Sequence, residues 1–326
     1  MFRRGLVLNY HCHQIEGENM LNESILVNQL LIKNRLVMPP MATGKSNSNG
    51  SISEELCNYY NEKSLGGYIG LIITEHSYIL QQGKASAGQM SMDENFDLEG
   101  IKKLTSIIHK NGSAVFCQLN HAGRRAKAEI TGQYVVDVYT ANREQIVKAF
   151  ADAAQRAKNG GYDGVEIHSA HGYLLNQFYS PLENPETELD KRINIHLDVI
   201  KAVREAVGIH YPIALRLGAC DYMEGGSSIA DAVYACKKFE EAGVDLLDIS
   251  GGLCGYMRKD NDKPGWFSDA SEAIKANVHI PVILTGGIVD RNQAEILLRE
   301  NEADMIGVGR AILNDSKWAQ KAMLEK

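Results

Sequence analysis

Short apolar runs recur along the chain at even spacing, each followed by a stretch of helical periodicity. Leu36–Met41, Ile69–Thr74, Ala114–Leu119, Gly164–Ile167, Ile213–Leu217, Leu246–Ile249, Val282–Leu284 and Met305–Val308 predict eight buried strands. Pro39-Pro40 must end the pairing of the first, and the polar stretch Gly44 to Ser51 predicts a loop. Ser53 opens a helix with Leu56, Tyr59, Tyr60 and Leu65 on its buried side. Asn142, Ser228 and Asp290 each stand three positions before Gln145, Asp231 and Gln293, the spacing of a reciprocal N-cap. Asn159-Gly160-Gly161 and Ala242-Gly243 supply helix stops. Ahead of all this, Ile25–Val27 and Leu31-Ile32 flank Asn28-Gln29 and predict a small hairpin under the floor of the sheet. Alternation of strands and helices allows a closed barrel or an open doubly wound sheet. The even spacing, and the lack of a Gly-x-Gly-x-x-Gly turn after the first strand, favour one α/β domain, a single (β/α)8 TIM barrel over residues 20–326.

In such a barrel every strand's carboxyl end opens on one mouth, so the residues that follow the strands describe a single site. They are Met41-Ala42-Thr43, Glu75-His76, Gln118 with Asn120 to Arg124, Arg216, Ser250 to Gly252, Thr285 to Gly287, and Gly309-Arg310. The densest stretch is Gly164 to Tyr173, which carries His168, His171 and Tyr173. Three readings compete there: loop residues packed over Tyr173, a pair of metal ligands, or neutral donors to a substrate oxygen with Tyr173 as proton source. Gly286-Gly287 and Gly307-x-Gly309 expose bare backbone where barrels bind phosphate, and Arg310 adds a charged fork. Tight turns are the other explanation for those glycines. Buried Gln118 and Arg216 require partners, either a flat heterocycle or an internal polar network.

Composition narrows the function classes. With 34 basic and 41 acidic residues, the formal charge of -7 gives no footprint for nucleic acid. Six scattered cysteines without CxxC spacing point to a reducing, cytoplasmic setting and away from a zinc ribbon or cysteine-held cluster. No run has the apolar length of a membrane span. Residues 1–19 hold two arginines before a short apolar patch, Gly5 to Leu8, too short for a signal peptide. They are expected to be a disordered extension, with structure beginning near Met20. A homo-oligomer is compatible with the sequence.

Several stretches carry a family resemblance: Asn34-Arg35-Leu36-Val37-Met38-Pro39-Pro40-Met41, Gln118-Leu119-Asn120-His121-Ala122-Gly123-Arg124, Gly161-Tyr162-Asp163 through Tyr173 to Ser180-Pro181-Leu182, Asp248 to Gly252, and Gly307-Val308-Gly309-Arg310. On these motifs, in strand order from about Met20 to about Asp315, the chain resembles the old yellow enzyme family of FMN-dependent NAD(P)H:flavin oxidoreductases and ene-reductases. The resemblance implies FMN across the barrel mouth, with Gly286, Gly287, Gly309 and Arg310 on its phosphate. It places Gln118 at the pyrimidine edge, Arg216 beside the anionic reduced ring, and Pro40, Met41, Ala42 and His76 along the ring. His168 and His171 would hold the carbonyl oxygen of an α,β-unsaturated substrate. Reduced flavin would pass hydride to the β-carbon and Tyr173 would protonate the α-carbon, after NADH or NADPH had reduced the flavin.

The chain also departs from the family pattern. Ala42 stands where cysteine or threonine is usual near the flavin C4 carbonyl, a loss that Thr43 would have to offset. His76 replaces a small residue and would crowd the flavin edge, add a donor or point away. Arg125 to Ala141 is short, which predicts an open mouth, and Asn184 to Asp190 lacks the usual Tyr-Gly-Gly pattern. These departures leave two alternatives: a flavin barrel performing demethylation or dehydrogenation on a bulkier substrate, or a weakened FMN binder. Longer relatives, the 2-enoate and 2,4-dienoyl-CoA reductases, add an iron–sulfur cluster and a second flavin-binding portion. With Cys254 the last cysteine, those cofactors are expected to be absent.

Overall fold

A computed structural model describes residues 19–325. The extension expected over residues 1–19 therefore lies outside the described residues, except for Asn19, whose side-chain oxygen accepts from Arg291. The first element among the described residues is a 3-10 turn at Met20–Asn22. β1 (Ile25–Val27) and β2 (Leu30–Ile32) then form the antiparallel hairpin, paired Ile25 to Ile32. Its turn depends on Asn28, which adopts a positive φ of 52°, a conformation that asparagine tolerates better than most residues. Val27 and Ile32 pack into an apolar layer with Val37, Leu71, Phe116, Leu246 and Ile283, so the hairpin does close the floor.

Eight parallel strands complete the barrel: β3 (Leu36–Met38), β4 (Leu71–Tyr78), β5 (Ala114–Asn120), β6 (Gly164–Ser169), β7 (Ile213–Cys220), β8 (Leu246–Gly251), β9 (Val282–Thr285) and β10 (Met305–Gly307). They close in the order β10-β3-β4-β5-β6-β7-β8-β9. β3 stops at Met38 rather than Met41, because Pro39 and Pro40 have no N–H for the ladder. β4 and β7 run longer than their apolar cores. Glu75 and His76, expected in a loop, lie inside β4, where the ladder shifts between Thr74 and Ser77. β4 takes three steps there against two on β5, a bulge that changes which way its side chains face.

Strand register stacks the interior in layers. Phe116, Ala214, Leu246, Ile283 and Met305 belong to the apolar floor. Two positions further along the strands, the same inward face carries Gln118, Arg216, Asp248, Thr285 and Gly307. Gln118 pairs with Glu166, and Arg216 lies between His168 and Asp248. The polar site is therefore the upper storey of the barrel core.

Helices wrap the outside and bury apolar faces against the strands. The helix at Glu54–Ser64 is capped by Ser53 and buries Leu56, Tyr59 and Tyr60. Leu65 was expected on that face but is 65% exposed, because the helix ends at Ser64 and the extended residue after it points outward. Ser228 and Asp290 form complete capping boxes. Asn142 accepts from the Gln145 N–H, but that cap is not a reciprocal box. No helix among the described residues is long and apolar enough to cross a membrane.

Candidate active site

The upper layer opens into a cavity of ≈ 700 Å³, within the range of small-molecule sites. Pro40, Met41, Ala42, His76, Gln118, His168, His171, Tyr173, Arg216, Gly286, Gly287, Gly309 and Arg310 all line it. Thirteen residues from seven strand ends thus converge on one space, which the sequence could place there only by assuming a barrel.

At the end of β6 the chain turns through His171, held at a φ of 60°. That left-handed conformation is uncommon for a residue with a Cβ and persists only where surrounding contacts enforce it. Here the His171 N–H donates to Gly251 O at 3.2 Å and its Nε2 lies 2.7 Å from Ser250 Oγ. The next two residues are tied down by the helix they open, Leu174–Tyr179. Asn176 Oδ1 accepts from Gly172 N at 2.7 Å, while Gln177 Nε2 and Arg125 Nε donate to Gly172 O at 2.7 and 3.1 Å. The rings of His168 and His171 sit edge to face with centroids 5.2 Å apart, and His168 and Tyr173 do the same at 5.2 Å.

Burial, followed by neighbouring cationic or imidazole groups, holds both histidines well below the usual imidazole range. They are neutral at pH 7. Burial also raises the Tyr173 hydroxyl, with Arg125 opposing, so the phenol keeps its proton. His171 Nε2 is engaged by Ser250, and His168 Nδ1 is enclosed without a partner. This leaves His171 Nδ1 and His168 Nε2 for a ligand. Among the described residues no group of three His, Cys, Asp or Glu side chains is placed to hold a metal ion.

Beneath the cavity lies the internal polar network that is one of the two partners weighed for Gln118 and Arg216, built on two carboxyls, Glu166 and Asp248, that the sequence does not single out. Gln118 Nε2 donates to Glu166 Oε1 at 2.7 Å, and Arg216 Nε stands 3.2 Å from Asp248 Oδ2. Glu166 and Asp248 are fully buried. Glu166 Oε2 and Asp248 Oδ2 each lack a donor, a deficit that one proton retained on the pair would meet. Burial and then Asp248 hold Glu166 well above the usual carboxyl range; burial raises Asp248 too, against the pull of Arg216. A signal was present: a charged residue inside an apolar strand run, as in Val165-Glu166-Ile167 and Leu247-Asp248-Ile249, costs too much to bury without a partner.

Ser250 and Thr285 line the cavity as well, whereas Thr43, Glu75, His121 and Arg124 do not. Thr43 donates through N–H (3.1 Å) and hydroxyl to Glu75 Oε2, so it does not offset Ala42. His121 is buried, with Nδ1 accepting from Gly123 N at 3.1 Å, and Arg124 pairs with Glu183 at 2.7 Å. Arg125, Trp266 and Tyr256 line the cavity although sequence reading named none of them for the site.

Glu75 itself carries a pH-dependent contribution. It is 2% exposed, and burial raises it from the ordinary 4.5 to about 7 despite the Thr43 bonds and nearby Lys45. The folded protein therefore holds this proton more tightly than the unfolded chain, and stability falls as pH rises from about 4.5 through about 7. Glu75→Gln is expected to gain on the wild type across that window by up to roughly 3 kcal/mol. Urea melts at several pH values check this; a difference that stays flat with pH means that Glu75 titrates normally.

The cavity also fits a flavin nucleotide. Gln118 directs Nε2 at Glu166, which leaves its carbonyl oxygen for a ring N–H. Arg216 and Arg310 provide cations for a reduced ring and a phosphate, and Arg310 stacks over Trp266 at 4.6 Å. Gly287 has a φ of 67°, and a Cβ there would come within 2.6 Å of Trp266 Nε1; at Gly309 it would come within 2.9 Å of Met41 Sδ. The Gly287 turn therefore favours glycine, whereas at Gly309 the flexible Met41 side chain would have to shift, and the N–H groups of both donate to no carbonyl among the described residues.

Comparison with known proteins agrees with this geometry. Residues 21–325 match the model of the NADH:flavin oxidoreductase / NADH oxidase family. An NADH oxidase of Thermoanaerobacter brockii is 36% identical over 93% of this chain and 50% of its own length, so the chain spans about half of that relative. An NADPH dehydrogenase of Geobacillus thermodenitrificans is 33% identical over 91% of each chain. The solved structure of an old yellow enzyme homologue from Zymomonas mobilis superposes with a TM-score of 0.79 at 22% identity, over 92% of this chain and 91% of that one. The chain belongs to the NADH:flavin oxidoreductase / NADH oxidase family, the old yellow enzyme family that its motifs resemble, whose members use FMN with NADH or NADPH.

Proposed function

We propose that this protein is an FMN-dependent oxidoreductase that takes electrons from NADH or NADPH and reduces the carbon–carbon double bond of an α,β-unsaturated carbonyl compound. The observation that carries this reading is the convergence of two neutral imidazoles and a protonated tyrosine on the same cavity as Gln118 and Arg216. A protein that only binds flavin needs none of the first three.

FMN, when bound, would supply the hydride chemistry that links the nicotinamide to the β-carbon. Gly286, Gly287, Gly309 and Arg310 would hold its phosphate, Gln118 and Arg216 its ring, and Pro40, Met41 and Ala42 the remaining edge. The protein's own contribution is orientation and proton placement. His168 and His171, being neutral, donate hydrogen bonds to the substrate carbonyl without surrendering a proton, and so draw electron density from the double bond. Tyr173 gives its proton to the α-carbon. The products are the saturated carbonyl compound and NAD(P)⁺, and the tyrosinate recovers a proton from water. Among the described residues Cys57, Cys117, Cys220, Cys236 and Cys254 are all free thiols, as suits a reducing, cytoplasmic compartment.

The deciding experiment is an absorption spectrum of the purified protein during anaerobic addition of NADH or NADPH and then 2-cyclohexenone. A yellow protein that bleaches and then recovers its colour performs both half-reactions. Bleaching without recovery points to another acceptor, and a protein that stays colourless when offered FMN ends the cofactor reading.

A further inference from the structure

His76 is 8% exposed and lines the cavity, with its ring centroid 5.4 Å from that of Tyr173 and 6.4 Å from that of His168. The β4 bulge beside it changes the facing of the strand at this point. Behind the ring, Gln89 determines which nitrogen carries the hydrogen. The backbone N–H of Ala85 donates to one end of the Gln89 amide at 2.6 Å, so that end is the oxygen. The other end lies 3.1 Å from the His76 carbonyl, which can only accept, so it is the NH2 group. The same nitrogen lies 2.6 Å from His76 Nδ1. Two backbone groups thus orient the amide, and the amide assigns the tautomer: Nδ1 accepts and Nε2 carries the hydrogen.

The hydrogen bond that the ring makes among the described residues is at Nδ1, which leaves Nε2 to the cavity. Along this edge the side chains of Pro39, Pro40, Met41 and Ala42 offer no donor, and the Thr43 hydroxyl is committed to Glu75. Burial lowers the ring to about 4, so it is neutral at pH 7 and its donor is not lost by titration above that value.

We propose that His76 is a fixed, neutral N–H donor to a carbonyl oxygen in this cavity other than the one held by His168 and His171. The oxygen belongs either to the flavin ring or to a second oxygen function on the substrate. The inference rests on the proposed function in taking this cavity as the flavin and substrate site, and the first measurement is independent of turnover.

That measurement is a long-range proton–nitrogen NMR spectrum of FMN-loaded protein labelled with ¹⁵N-histidine, assigned through His76→Gln. The Nε2-protonated pattern, unchanged from pH 5.5 to 8, is expected. An Nδ1-protonated ring, or one that titrates in this range, overturns the proposal. His76→Leu then removes the donor, and His76→Gln keeps an N–H near the position of Nε2; FMN stoichiometry and a melting curve confirm that each folds. If the acceptor is the flavin, His76→Leu lowers the midpoint potential and shifts the visible band of the substrate-free protein, and His76→Gln restores both. If it is the substrate, potential and band stay put. KM for 2-cyclohexene-1,4-dione then rises about tenfold relative to KM for 2-cyclohexenone, and glutamine again rescues it. A leucine variant with unaltered potential and equal KM changes for both compounds overturns the proposal. Absence of enone turnover in the wild type counts against the proposed function and leaves the tautomer and potential measurements intact.

Discussion

Tyr173→Phe is expected to slow reoxidation of the reduced protein by 2-cyclohexenone by ~10²–10⁴-fold, the usual worth of a positioned acid. Reduction by NADPH should change by no more than a few-fold. The phenyl ring keeps the edge-to-face packing on His168, and the backbone remains tied through Gly172 to Asn176, Gln177 and Arg125. Only the hydroxyl is removed. Burial keeps that hydroxyl's pKa above its ordinary 10, so the wild-type rate should not fall through loss of this proton below pH 9. Stopped-flow absorbance of the two half-reactions separates the outcomes. Equal slowing of both would remove Tyr173 as the acid and leave it a packing role.

Arg216→Met carries the second large effect, this time on stability. The substitution keeps an apolar stem but leaves the fully buried Asp248 and Glu166 without their cation. Breaking a buried pair from one side costs ~3–5 kcal/mol, because the remaining charge has no water to compensate it. The sign of the pH dependence follows from the carboxyls. Burial already raises both, and Arg216 opposes the rise. Without Arg216 they hold their protons still more tightly, so the variant's deficit is smallest in acid and grows as pH rises. Adding Asp248→Asn should recover part of the loss at pH 8 and less at pH 5. Denaturant melts of the single and double variants test this; a loss below about 1 kcal/mol, or one independent of pH, would mean that the pair relaxes or admits water.

Both effects arise at positions that the sequence made legible to different degrees. Tyr173 could be picked out because it follows a strand run in a segment crowded with polar groups, and every strand of a barrel delivers its end to one mouth. Glu166 and Asp248 are less legible because each sits inside an apolar run, whose pattern reports the strand rather than the one charge within it. His76 was legible as an anomaly but not as a donor, since its role depends on Ala85 and Gln89, linked to it through the β4 bulge and the loop beyond.

The amino-acid order by itself determined the barrel. Eight apolar runs with capped helices between them leave few other ways to bury those faces, and Gly287 marks a turn whose positive φ suits glycine. It also determined which residues crowd the strand ends. Tertiary structure alone decided their protonation and orientation. Burial sets the neutrality of His168 and His171 and raises the carboxyls of Glu166 and Asp248, and a backbone N–H at Ala85 sets the tautomer of His76. Those properties depend on distance and solvent exclusion between residues far apart in the chain, and such quantities exist only once the barrel has closed.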